Sequence, residues 1–400
     1  MKKISFALLL FSILAFSFNL NFESGYFYID SDILNIGEYD FGMLKLSTDT
    51  KFNGTFYAKS SLVFDQIYEN SYLYFKGDFY AISLPIPTFV TALEEAYAEI
   101  YTNLGDIKVG RFVDKLPDSE VYKVYDKVGK YVDNKKLPLT GLKYLYTTDF
   151  GSFMFNVFSN LETFASNPST YTYTVKTEIP DLYKSQILAL LSSQSTPILE
   201  DLLGEKSGYG LGFMGNIFGI DYSFYLTYKL ADYFVVDRVL EEGPLVKRPF
   251  IYTISNSLVY QIPDTLFMLH NYFGFESESI SNFDIIVSGL GKVDIEEKVP
   301  SVLENVLGIE YQIGSDGLIG LDVYTKFLDL KYHSSSFGVY GNYTKDNMDI
   351  KGVIKYNVED KKIGILYEAG YGFDDYTKLF IRGKWNDDVN LIMVGVKSEI

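Results

Sequence analysis

Few residues of this sequence have the types and spacing that catalysis requires. The chain has no cysteine and only two histidines, His270 and His333. His270 is followed by Asn271, and His333 precedes the serines Ser334 to Ser336, so each histidine could be imagined as the base of a serine hydrolase. Neither lies in a recognisable nucleophile, zinc-binding or phosphate-binding motif. We therefore predict no catalytic residues, no enzymatic activity, no metal site and no cofactor.

The charged side chains have a different kind of spacing, because many of them alternate with apolar residues. Asp349, Lys351 and Lys355 alternate with Ile350 and Ile354. This period of two is that of a pleated strand whose faces meet different surroundings, such as lipid on one side and water on the other. Charged residues on the polar face of such runs are predicted to line an aqueous pore. They are Glu95, Glu99, Asp221, Lys351, Lys355, Glu368, Lys378, Arg382 and Lys384.

The elements that must position these residues are clearest between Ser335 and Ser398, where the sequence predicts five consecutive strands joined by short polar turns. Each run has about ten residues, which suits a strand that crosses a bilayer at a tilt. A soluble antiparallel sheet alternates in the same way, so a secreted β-protein is the alternative on this pattern alone. The residues predicted to face lipid are Tyr222, Phe224, Leu226, Phe337, Val339, Ile350, Ile354, Tyr367 and Tyr371.

The start of the chain has the composition of a cleavable export signal. Lys2 and Lys3 precede an apolar run that ends at Phe16 and is followed by small residues at the cleavage positions. The run is shorter than the roughly 20 residues that a membrane-spanning helix needs. We therefore expect residues 1–17 to be a signal peptide and residues 18–400 to form a single outer-membrane barrel domain.

The composition narrows the class of membrane protein. Aromatic residues make up 17% of the chain, and 35 residues are tyrosine, whose ring favours the apolar side of a membrane interface while its hydroxyl stays in water. Beyond the signal, no apolar run approaches the roughly 18 residues of a membrane-spanning helix, which excludes a helical membrane protein. The formal net charge of −17 argues against nucleic acid as a partner. The partners that fit are outer-membrane lipids and small hydrophilic solutes or ions.

Counting the strand runs gives 18, and 16 is the nearest alternative because the N-terminal runs are the weakest. The predicted fold is an all-β, transmembrane, up-and-down antiparallel β-barrel. An even number of strands brings both termini to the periplasmic side, as in bacterial single-chain barrels. The predicted strands are 41–48, 52–66, 72–82, 94–103, 106–112, 139–148, 152–159, 208–217, 219–228, 250–261, 265–276, 303–313, 317–326, 335–344, 348–357, 363–373, 376–385 and 389–398.

Long and short connections alternate along this set of strands. Outer-membrane barrels have long external loops and short periplasmic turns, so the long connections are predicted to be external. The longest one also predicts two short helices separated by Pro197, and it either folds into the lumen as a constriction or caps the external surface. The long loops are 113–138, 160–207, 229–249 and 276–302, and the constriction-loop candidates are Glu200, Asp201 and Glu205.

One hairpin resembles a known family. Residues 95–97 (Glu-Ala-Tyr), 105–106 (Gly-Asp) and 109–111 (Val-Gly-Arg) resemble a hairpin that recurs in large outer-membrane porin-like barrels, including the phosphate-selective and alginate-export types. The resemblance covers about 20 residues and implies a barrel of about 16 to 18 strands that passes small hydrophilic solutes. The sequence after Arg111 has no basic ladder, so it does not support phosphate-type anion selectivity.

The end of the chain fits the same class. Outer-membrane barrels commonly end on an apolar, usually aromatic, residue with a glycine five positions earlier, and Ile400 and Gly395 occupy these positions. Ser398 departs from the pattern, since a second apolar residue is usual there. The barrel-assembly machinery is therefore a predicted partner, through the C-terminal strand.

These observations predict a porin-like channel for passive diffusion of small hydrophilic solutes. We expect a weak cation preference, because Glu95, Glu99, Asp221 and the acidic loops favour cations whereas the inward-facing charges of the C-terminal strands are mostly basic. The alternative is a structural or adhesive outer-membrane barrel that does not conduct. The sequence does not determine the oligomeric state. A homotrimer is possible because porins commonly form one.

Overall fold

The computed structural model describes most of the chain from residue 17 onward, and residues 1–16 lie outside the described part. The described residues are 17–30, 34–35, 47–48, 55–68, 70–83, 87–114, 116, 118–124, 131–132, 135–136, 138–159, 170–193, 198–199, 207–240, 243–373, 377–386 and 390–399. No helix among these residues is long and apolar enough to cross a membrane.

The fold is an antiparallel sheet of 18 strands that closes on itself. Each strand pairs with its neighbours along the chain, as an up-and-down order requires. Numbered β1 to β18 in chain order, the barrel strands are Ser17–Asp30, Thr55–Tyr68, Ser71–Ser83, Pro87–Thr102, Gly105–Phe112, Leu139–Thr148, Gly151–Ser159, Ser207–Ile217, Ile220–Leu230, Phe250–Gln261, Phe267–Glu276, Val302–Ile313, Gly317–Leu328, Lys331–Lys345, Met348–Asn357, Ile363–Gly372, Thr377–Trp385 and Asn390–Glu399.

The first strand closes the barrel, and here the sequence prediction was wrong. β1 pairs with β2 on one side and with β18 on the other, so that Gly25 lies opposite both Tyr57 and Gly395. The predicted first strand, 41–48, does not belong to this sheet in its described part, because Ser47–Thr48 pairs with Leu34–Asn35. The count of 18 is confirmed, since β1 takes the place of that strand.

The connections at the two ends of the barrel differ in length, as predicted. One end, the turn rim, carries only short connections, among them residues 103–104, 149–150, 218–219 and 314–316. Phe218 and Gly219 have φ angles of 53° and 81°, and two consecutive positive angles match the twist of a tight two-residue hairpin. The opposite end, the loop rim, carries the four connections that were predicted to be long, and also residues 31–54 between β1 and β2.

The two faces of the barrel wall also differ. On β13 and β14, the apolar side chains of Leu321 and Phe337 are exposed, whereas the neighbouring Asp322 and Tyr340 are buried. Exposed apolar residues also recur at every second position on other described strands, as at Leu307, Ile309, Tyr311 and Ile313 of β12, which is what a lipid-facing surface requires. Eight of the nine residues predicted to face lipid are among the exposed apolar side chains, and the ninth, Tyr222, shares their face of β9.

The long connections at the loop rim are more ordered than predicted. Most of the described part of 160–207, 229–249 and 276–302 forms a separate layer, here called the cap. Among the described residues of 160–207 there is one helix, α1 (Asp181–Ser193), and residues 198–199 of the predicted second helix form a short strand instead. The cap consists of Thr172–Val175, α1 (Asp181–Ser193), Ile198–Leu199, Val235–Leu240, Gly243–Lys247, Ser279–Val287 and Gly291–Val299.

The cap has its own apolar core, apart from the barrel. Ile187 of α1 packs with Val236, Phe283, Val293 and Ile295 of the cap strands. Val293 and Ile295 are almost fully buried. Burying apolar surface stabilises a fold by about 25 cal/mol per Å². This gain in free energy explains why these hairpins pack on each other beyond the barrel.

Candidate functional site in the interior of the barrel

A basic strip crosses the inner face of β15, β16 and β17. Lys351 lies opposite Glu368 in register, and Glu368 lies opposite Arg382. The Arg382 Nε atom is 3.6 Å from Glu368 Oε2. Lys355 and Lys384 lie an even number of residues from Lys351 and Arg382 on the same strands, so they share this face. We call Lys351, Lys355, Arg382 and Lys384 the basic strip.

A segment of the chain packs against this inner face instead of lying outside. It follows β5 at the loop rim and comprises residues 113, 114, 116 and 118–124, here called the inner segment. It contacts residues of β6, β7, β13, β14 and β15, which lie on different sides of the barrel. Because it spans the lumen, it restricts the passage through the barrel.

The first anchor of the inner segment is Asp114. Its side chain is buried, with Lys143 Nζ 2.5 Å from Oδ1 and Asn156 Nδ2 donating to Oδ2 at 3.0 Å. Lys136 donates to the Asp114 backbone carbonyl. Burial alone would raise the pKa of Asp114, but the ammonium groups of Lys143 and Lys136 and the hydrogen bonds from Lys143 and Asn156 hold it below its usual value. The carboxylate is therefore charged and fixed to the wall.

The second anchor joins the inner segment to the opposite side of the wall. Ser119 Oγ donates to Asp322 Oδ2, and His270 Nε2 lies 2.8 Å from Asp322 Oδ1. Asp322 and His270 are 0% and 2% exposed. The Ser119 hydroxyl also accepts the backbone N–H groups of Val121 and Tyr122 at 3.0 Å, which fixes the turn of the segment. A buried carboxylate therefore links the segment to two strands of the barrel.

A glycine makes this second anchor possible. His270 on β11 and Asp322 on β13 are separated by β12, where Gly308 lies opposite both in register. A Cβ atom at Gly308 would lie 2.1 Å from His270 Nε2 and 2.3 Å from Asp322 Oδ1. The missing side chain therefore lets the imidazole and the carboxylate meet across the intervening strand.

Aromatic and apolar contacts complete the packing of the inner segment. The rings of Tyr122 and Tyr324 stack with centroids 4.9 Å apart and planes at 14°. Lys355 Nζ lies 5.2 Å from the centroid of the Tyr122 ring, within the range of a cation–π contact. Val121 packs against Tyr340 and Val353 of the wall. Leu116 and Val124 pack into a buried apolar cluster with Leu139 and Met154 of the wall. The segment is thus held by two polar anchors and by apolar packing on both sides of the lumen.

The space left beside the inner segment is a cavity of about 770 Å³. One side of it is the inner segment and the other is the basic strip. Its charged lining residues are Lys123, Glu304, Lys351, Lys355, Glu368, Arg382 and Lys384, so five cationic groups face two carboxylates. Glu120 Oε2 of the inner segment lies 3.5 Å from Lys351 Nζ, so one lysine of the basic strip is paired with the inner segment.

A second, smaller cavity of about 430 Å³ lies at the turn rim. Its lining is mostly uncharged and polar, and includes Gln261, Gln312, Asn342 and Thr344. Glu310 also lines it and accepts a hydrogen bond from Tyr340 Oη at 2.5 Å. Polar space is therefore present on the turn-rim side of the barrel as well as beside the inner segment.

The remaining predicted pore residues are distributed over the inner wall. Glu95 Oε1 accepts the N–H of Val113 at 2.9 Å, at the point where the inner segment begins. Glu99 Oε2 is 4.0 Å from Lys108 Nζ. Asp221 lies beside the 218–219 turn and accepts from Asn216 at 2.6 Å, and Lys378 forms an ion pair with Asp349. These four residues do not line the larger cavity.

The source of the constriction differs from the sequence prediction. Glu200, Asp201 and Glu205 lie outside the described residues, and the described part of 160–207 belongs to the cap. The segment seen in the lumen comes from the shorter loop 113–138. Leu116, Val121 and Val124 of this segment are apolar and buried, which in the sequence indicates packing against the protein but not on which side of the barrel wall.

His270 does not form a hydrolase site with Ser119. Asp322 lies between Ser119 and His270, with one carboxylate oxygen bonded to each. In a serine hydrolase the imidazole must contact the hydroxyl and the carboxylate must orient the imidazole, so the order here is wrong for proton abstraction. Ser119, Asp322 and His270 instead attach the inner segment to the barrel wall, as the second anchor.

Comparisons with known proteins give a match in fold. No protein-family model and no curated protein matches the sequence. The structure of Pseudomonas aeruginosa OccK11 (OpdR) matches with a TM-score of 0.53 at 10% identity, over 97% of this chain and 96% of that chain. P. aeruginosa OpdL matches with a TM-score of 0.53 at 9% identity, over 97% and 99%. A mutant of the Rhodopseudomonas blastica porin gives 0.41 at 12% identity, over 96% and 100%.

The chain is thus similar to the two P. aeruginosa barrels over almost its whole length. This confirms the predicted fold, an up-and-down antiparallel β-barrel. At such low identity the likeness concerns the fold alone, so function has to be argued from the interior of the barrel.

Proposed function

We propose that the protein is an integral outer-membrane channel through which small hydrophilic solutes diffuse passively. The observation that carries this proposal is the charged cavity of about 770 Å³ beside the inner segment. Larger barrels of this kind enclose aqueous channels instead of packed side chains. A narrowed, polar passage of this kind admits small hydrated solutes and restricts large ones.

The proposed pore lining comprises the predicted residues of the inner wall. Those beside the cavity are Lys351, Lys355, Glu368, Arg382 and Lys384. Glu95 and Glu99 belong to the wall below the inner segment, and Asp221 and Lys378 belong to the turn-rim side, where both already have partners. The cavity residues should therefore affect permeation most.

The weak cation preference is part of this proposal, and two features act on it in opposite directions. The net charge of −17, together with Glu95, Glu99 and Asp221, favours cations near the entrances. The cavity favours anions locally, since five cationic groups face two carboxylates there. We therefore expect a cation preference that is weak because the basic strip opposes it.

Planar-bilayer recording of the purified protein tests both statements. Steady open-channel conductance supports the channel, and the reversal potential across a salt gradient gives its selectivity. Lys355→Gln combined with Arg382→Gln should shift the reversal potential toward stronger cation preference. Strong anion selectivity of the unaltered protein would contradict the cation preference, and absence of conductance at every voltage would favour a structural or adhesive barrel.

We also propose that the loop rim faces the outside of the cell and the turn rim the periplasm. The chain has no cysteine of its own, so single cysteines can report the topology. An impermeant thiol reagent should label Leu240→Cys in the cap of intact cells and leave Asp316→Cys at the turn rim unlabelled. Labelling of Asp316→Cys alone would reverse the orientation.

Export and insertion follow from the same proposal. Residues 1–17 would direct secretion, and β18 would be recognised by the barrel-assembly machinery through its apolar face, which includes Ile392, Val394 and Val396. Native gel migration of the folded protein, compared with that of a heated sample, would reveal whether it assembles as a homotrimer. No enzymatic activity is part of the proposal.

A further inference from the structure

Three neighbouring hairpins at the turn rim carry an apolar side chain at the tip. Each turn has an apolar residue followed by a glycine, and the three pairs are Leu104–Gly105, Phe150–Gly151 and Phe218–Gly219. The apolar side chains of these pairs are 75%, 83% and 97% exposed, whereas the lipid-facing Leu321 and Phe337 of the wall are 42% and 44% exposed. We call Leu104, Phe150 and Phe218 the apolar arc.

Hydrogen bonds hold the three turns in fixed conformations. In the first turn Thr102 Oγ1 accepts the N–H of Leu104 at 3.2 Å, and in the second Thr148 Oγ1 accepts the N–H of Phe150 at 3.3 Å. Both hydroxyls also donate to the carbonyl of the glycine in the turn, at 2.6 Å and 2.9 Å. In the third turn Asn216 Oδ1 accepts the N–H of the glycine at 3.1 Å. The tips are therefore ordered before any partner binds, which lowers the entropic cost of binding.

The third tip has a backbone conformation that disfavours its side chain. Phe218 has a φ angle of 53°, in the left-handed region, where a bulky residue is rare and Asn, Asp or Gly is usual. Asp346, in a turn on another part of the rim, has nearly the same angle, 52°. A turn that only had to join two strands would carry such a polar residue. Phe218 therefore indicates that the exposed ring itself has a function.

The apolar tips lie on one side of the rim. Their hairpins are consecutive, and the exposed Leu266 in the next connection continues the series. The connections 314–316 and 346–347 consist of glycine and polar residues. Phe373 is also exposed, but it packs edge-to-face on Tyr371 and so extends the outer wall. Lipid surrounds a barrel on every side, so interfacial anchors would recur around the whole rim, whereas a one-sided patch fits a partner that binds on one side.

Acidic groups accompany the apolar arc. Asp106, Asp149 and Asp221 each lie within three residues of a tip, and no lysine or arginine lies within that distance of any of the three tips. Asp149 and Asp221 are exposed. Apolar contacts bordered by charges of one sign are complementary to an apolar surface bordered by charges of the opposite sign. The charges therefore favour a partner that carries lysine or arginine beside its apolar residues.

The spacing of the tips indicates the shape of this partner. Consecutive tips are two strands apart, and neighbouring strands of a tilted barrel wall are about 4.8 Å apart, so the tips follow one another at roughly 10–13 Å along the rim. An α-helix advances this far in about seven or eight residues, and residues with that separation lie on one face. An amphipathic helix lying along the rim would therefore present one apolar side chain to each tip.

We propose that the apolar arc docks a basic amphipathic helix of a periplasmic protein. The periplasmic location rests on the proposed orientation of the barrel, whereas the recognition depends only on the three tips and their aspartates. Burial of two phenylalanine rings and one leucine makes a contact at the small end of the range of protein interfaces. The complex should therefore be reversible, with a Kd in the micromolar range. It would hold the partner at the mouth of the barrel.

The experiment uses the full-length protein in phosphatidylcholine nanodiscs, which leave both rims accessible. The probe is a fluorescein-labelled synthetic helix of about 18 residues with leucines on one face and lysines on the other, and its binding is measured by fluorescence anisotropy against empty nanodiscs. Phe218→Asn should weaken binding roughly tenfold, because it removes a ring while the new side chain suits the positive φ. Asp149→Asn combined with Asp221→Asn should weaken binding and reduce its salt dependence. Asp346→Asn, which removes a charge from another part of the rim, is the matched control and should leave binding unchanged.

Three results would overturn the docking surface. They are binding no stronger than to empty nanodiscs, equal binding by the Phe218→Asn protein, and equal binding of a peptide that has glutamates in place of its lysines. Neither conductance nor orientation enters this measurement. Failure of the docking surface therefore leaves the channel proposal intact, and failure of the channel proposal leaves the binding result valid.

A second measurement distinguishes a protein partner from the membrane. The chain has no cysteine, so Phe150→Cys can carry a single bimane fluorophore. Iodide in the water should quench this fluorophore, and the lysine peptide should protect it. Phe337→Cys on the outer wall is the reference and should be quenched by brominated lipid instead. Quenching of the Phe150→Cys fluorophore by brominated lipid and not by iodide would place the tip in the bilayer and overturn the proposal.

Discussion

The inner segment and the cap both come from long connections at the loop rim, and both have apolar contacts, but buried ion pairs and hydrogen bonds contribute more to the inner segment. The inner segment is fixed by buried polar groups, Asp114 at one anchor and Ser119 with Asp322 at the other. The cap is fixed by an apolar core that includes Ile187 and Ile295. The difference follows from where each segment lies, because the inner wall of the barrel offers polar side chains whereas the cap strands pack on one another.

This comparison explains what each region is suited to do. A segment held by directional hydrogen bonds keeps one position relative to the wall, so it can define the width of a passage. A layer held by its own apolar core does not need contacts with the barrel wall for stability, and it tolerates substitutions on its polar surface. We therefore expect mutations in the two regions to affect different measured properties.

The largest expected effect is at the second anchor. Asp322→Ala removes the acceptor of Ser119 and the partner of His270, and breaking such a buried pair costs roughly 3–5 kcal/mol. The inner segment should then leave the wall, and the single-channel conductance in planar bilayers should increase. Asp316→Ala at the turn rim is the matched control and should leave conductance unchanged. A normal conductance in the Asp322→Ala protein would mean that Asp114 alone holds the segment.

The cap should respond to loss of apolar volume instead. Ile295→Ala removes a side chain that is 1% exposed, and such a change costs roughly 2–5 kcal/mol. Limited proteolysis should cut the cap of this variant sooner than that of the unaltered protein. Conductance and heat-modifiable gel migration, which report the inner segment and the barrel, should be unchanged. Loss of barrel assembly would show that cap and barrel fold as one unit, against the separation drawn above.

The third test concerns the two faces of the barrel wall. Ile354 is exposed on the outer face, whereas the adjacent Lys355 faces the cavity. Ile354→Arg should cost roughly 2–4 kcal/mol if the residue lies near the middle of the bilayer, and Lys355→Gln should leave folding almost unchanged. Equilibrium refolding into liposomes measures both values. Equal losses at the two positions would contradict the assignment of the faces.

The smallest expected effect is an opposite pH dependence of the two regions. Burial raises the pKa of Glu297 in the cap, against the hydrogen bonds from Val236 and Tyr173, so the folded cap binds the proton more tightly than the unfolded chain does. Cap stability should therefore fall as pH rises from the ordinary glutamate pKa through the raised value. The lowered pKa of Asp114 acts the other way, and its contribution is lost as pH falls through that value.

Two measurements check these signs. Resistance of the cap to proteolysis should increase on mild acidification, and Glu297→Gln should abolish that change because the amide does not titrate. Conductance should rise only at lower pH, where Asp114 becomes protonated and the first anchor weakens. A cap that loses resistance on acidification, with the Glu297→Gln variant behaving identically, would place the controlling group elsewhere.

The sequence alone determined the features that depend on local pattern. The period of two assigned residues such as Ile354 and Lys355 to opposite faces, and turn residues such as Gly219 marked the short connections, so most strands and their number were predictable. The first strand was misplaced because it directly follows the apolar run that ends at Phe16 and that predicts an export signal. Its role in closure depends on pairing with β18, at the far end of the chain.

The tertiary structure decided which distant residues meet. His270, Gly308 and Asp322 come together only because three strands are in one particular register, and a shift of one residue would turn each side chain to the other face. Likewise, nothing local in residues 113–124 distinguishes a segment that enters the lumen from one that covers the outside. That choice depends on the partners Lys143, Asn156 and Asp322, which the closed barrel brings to face it.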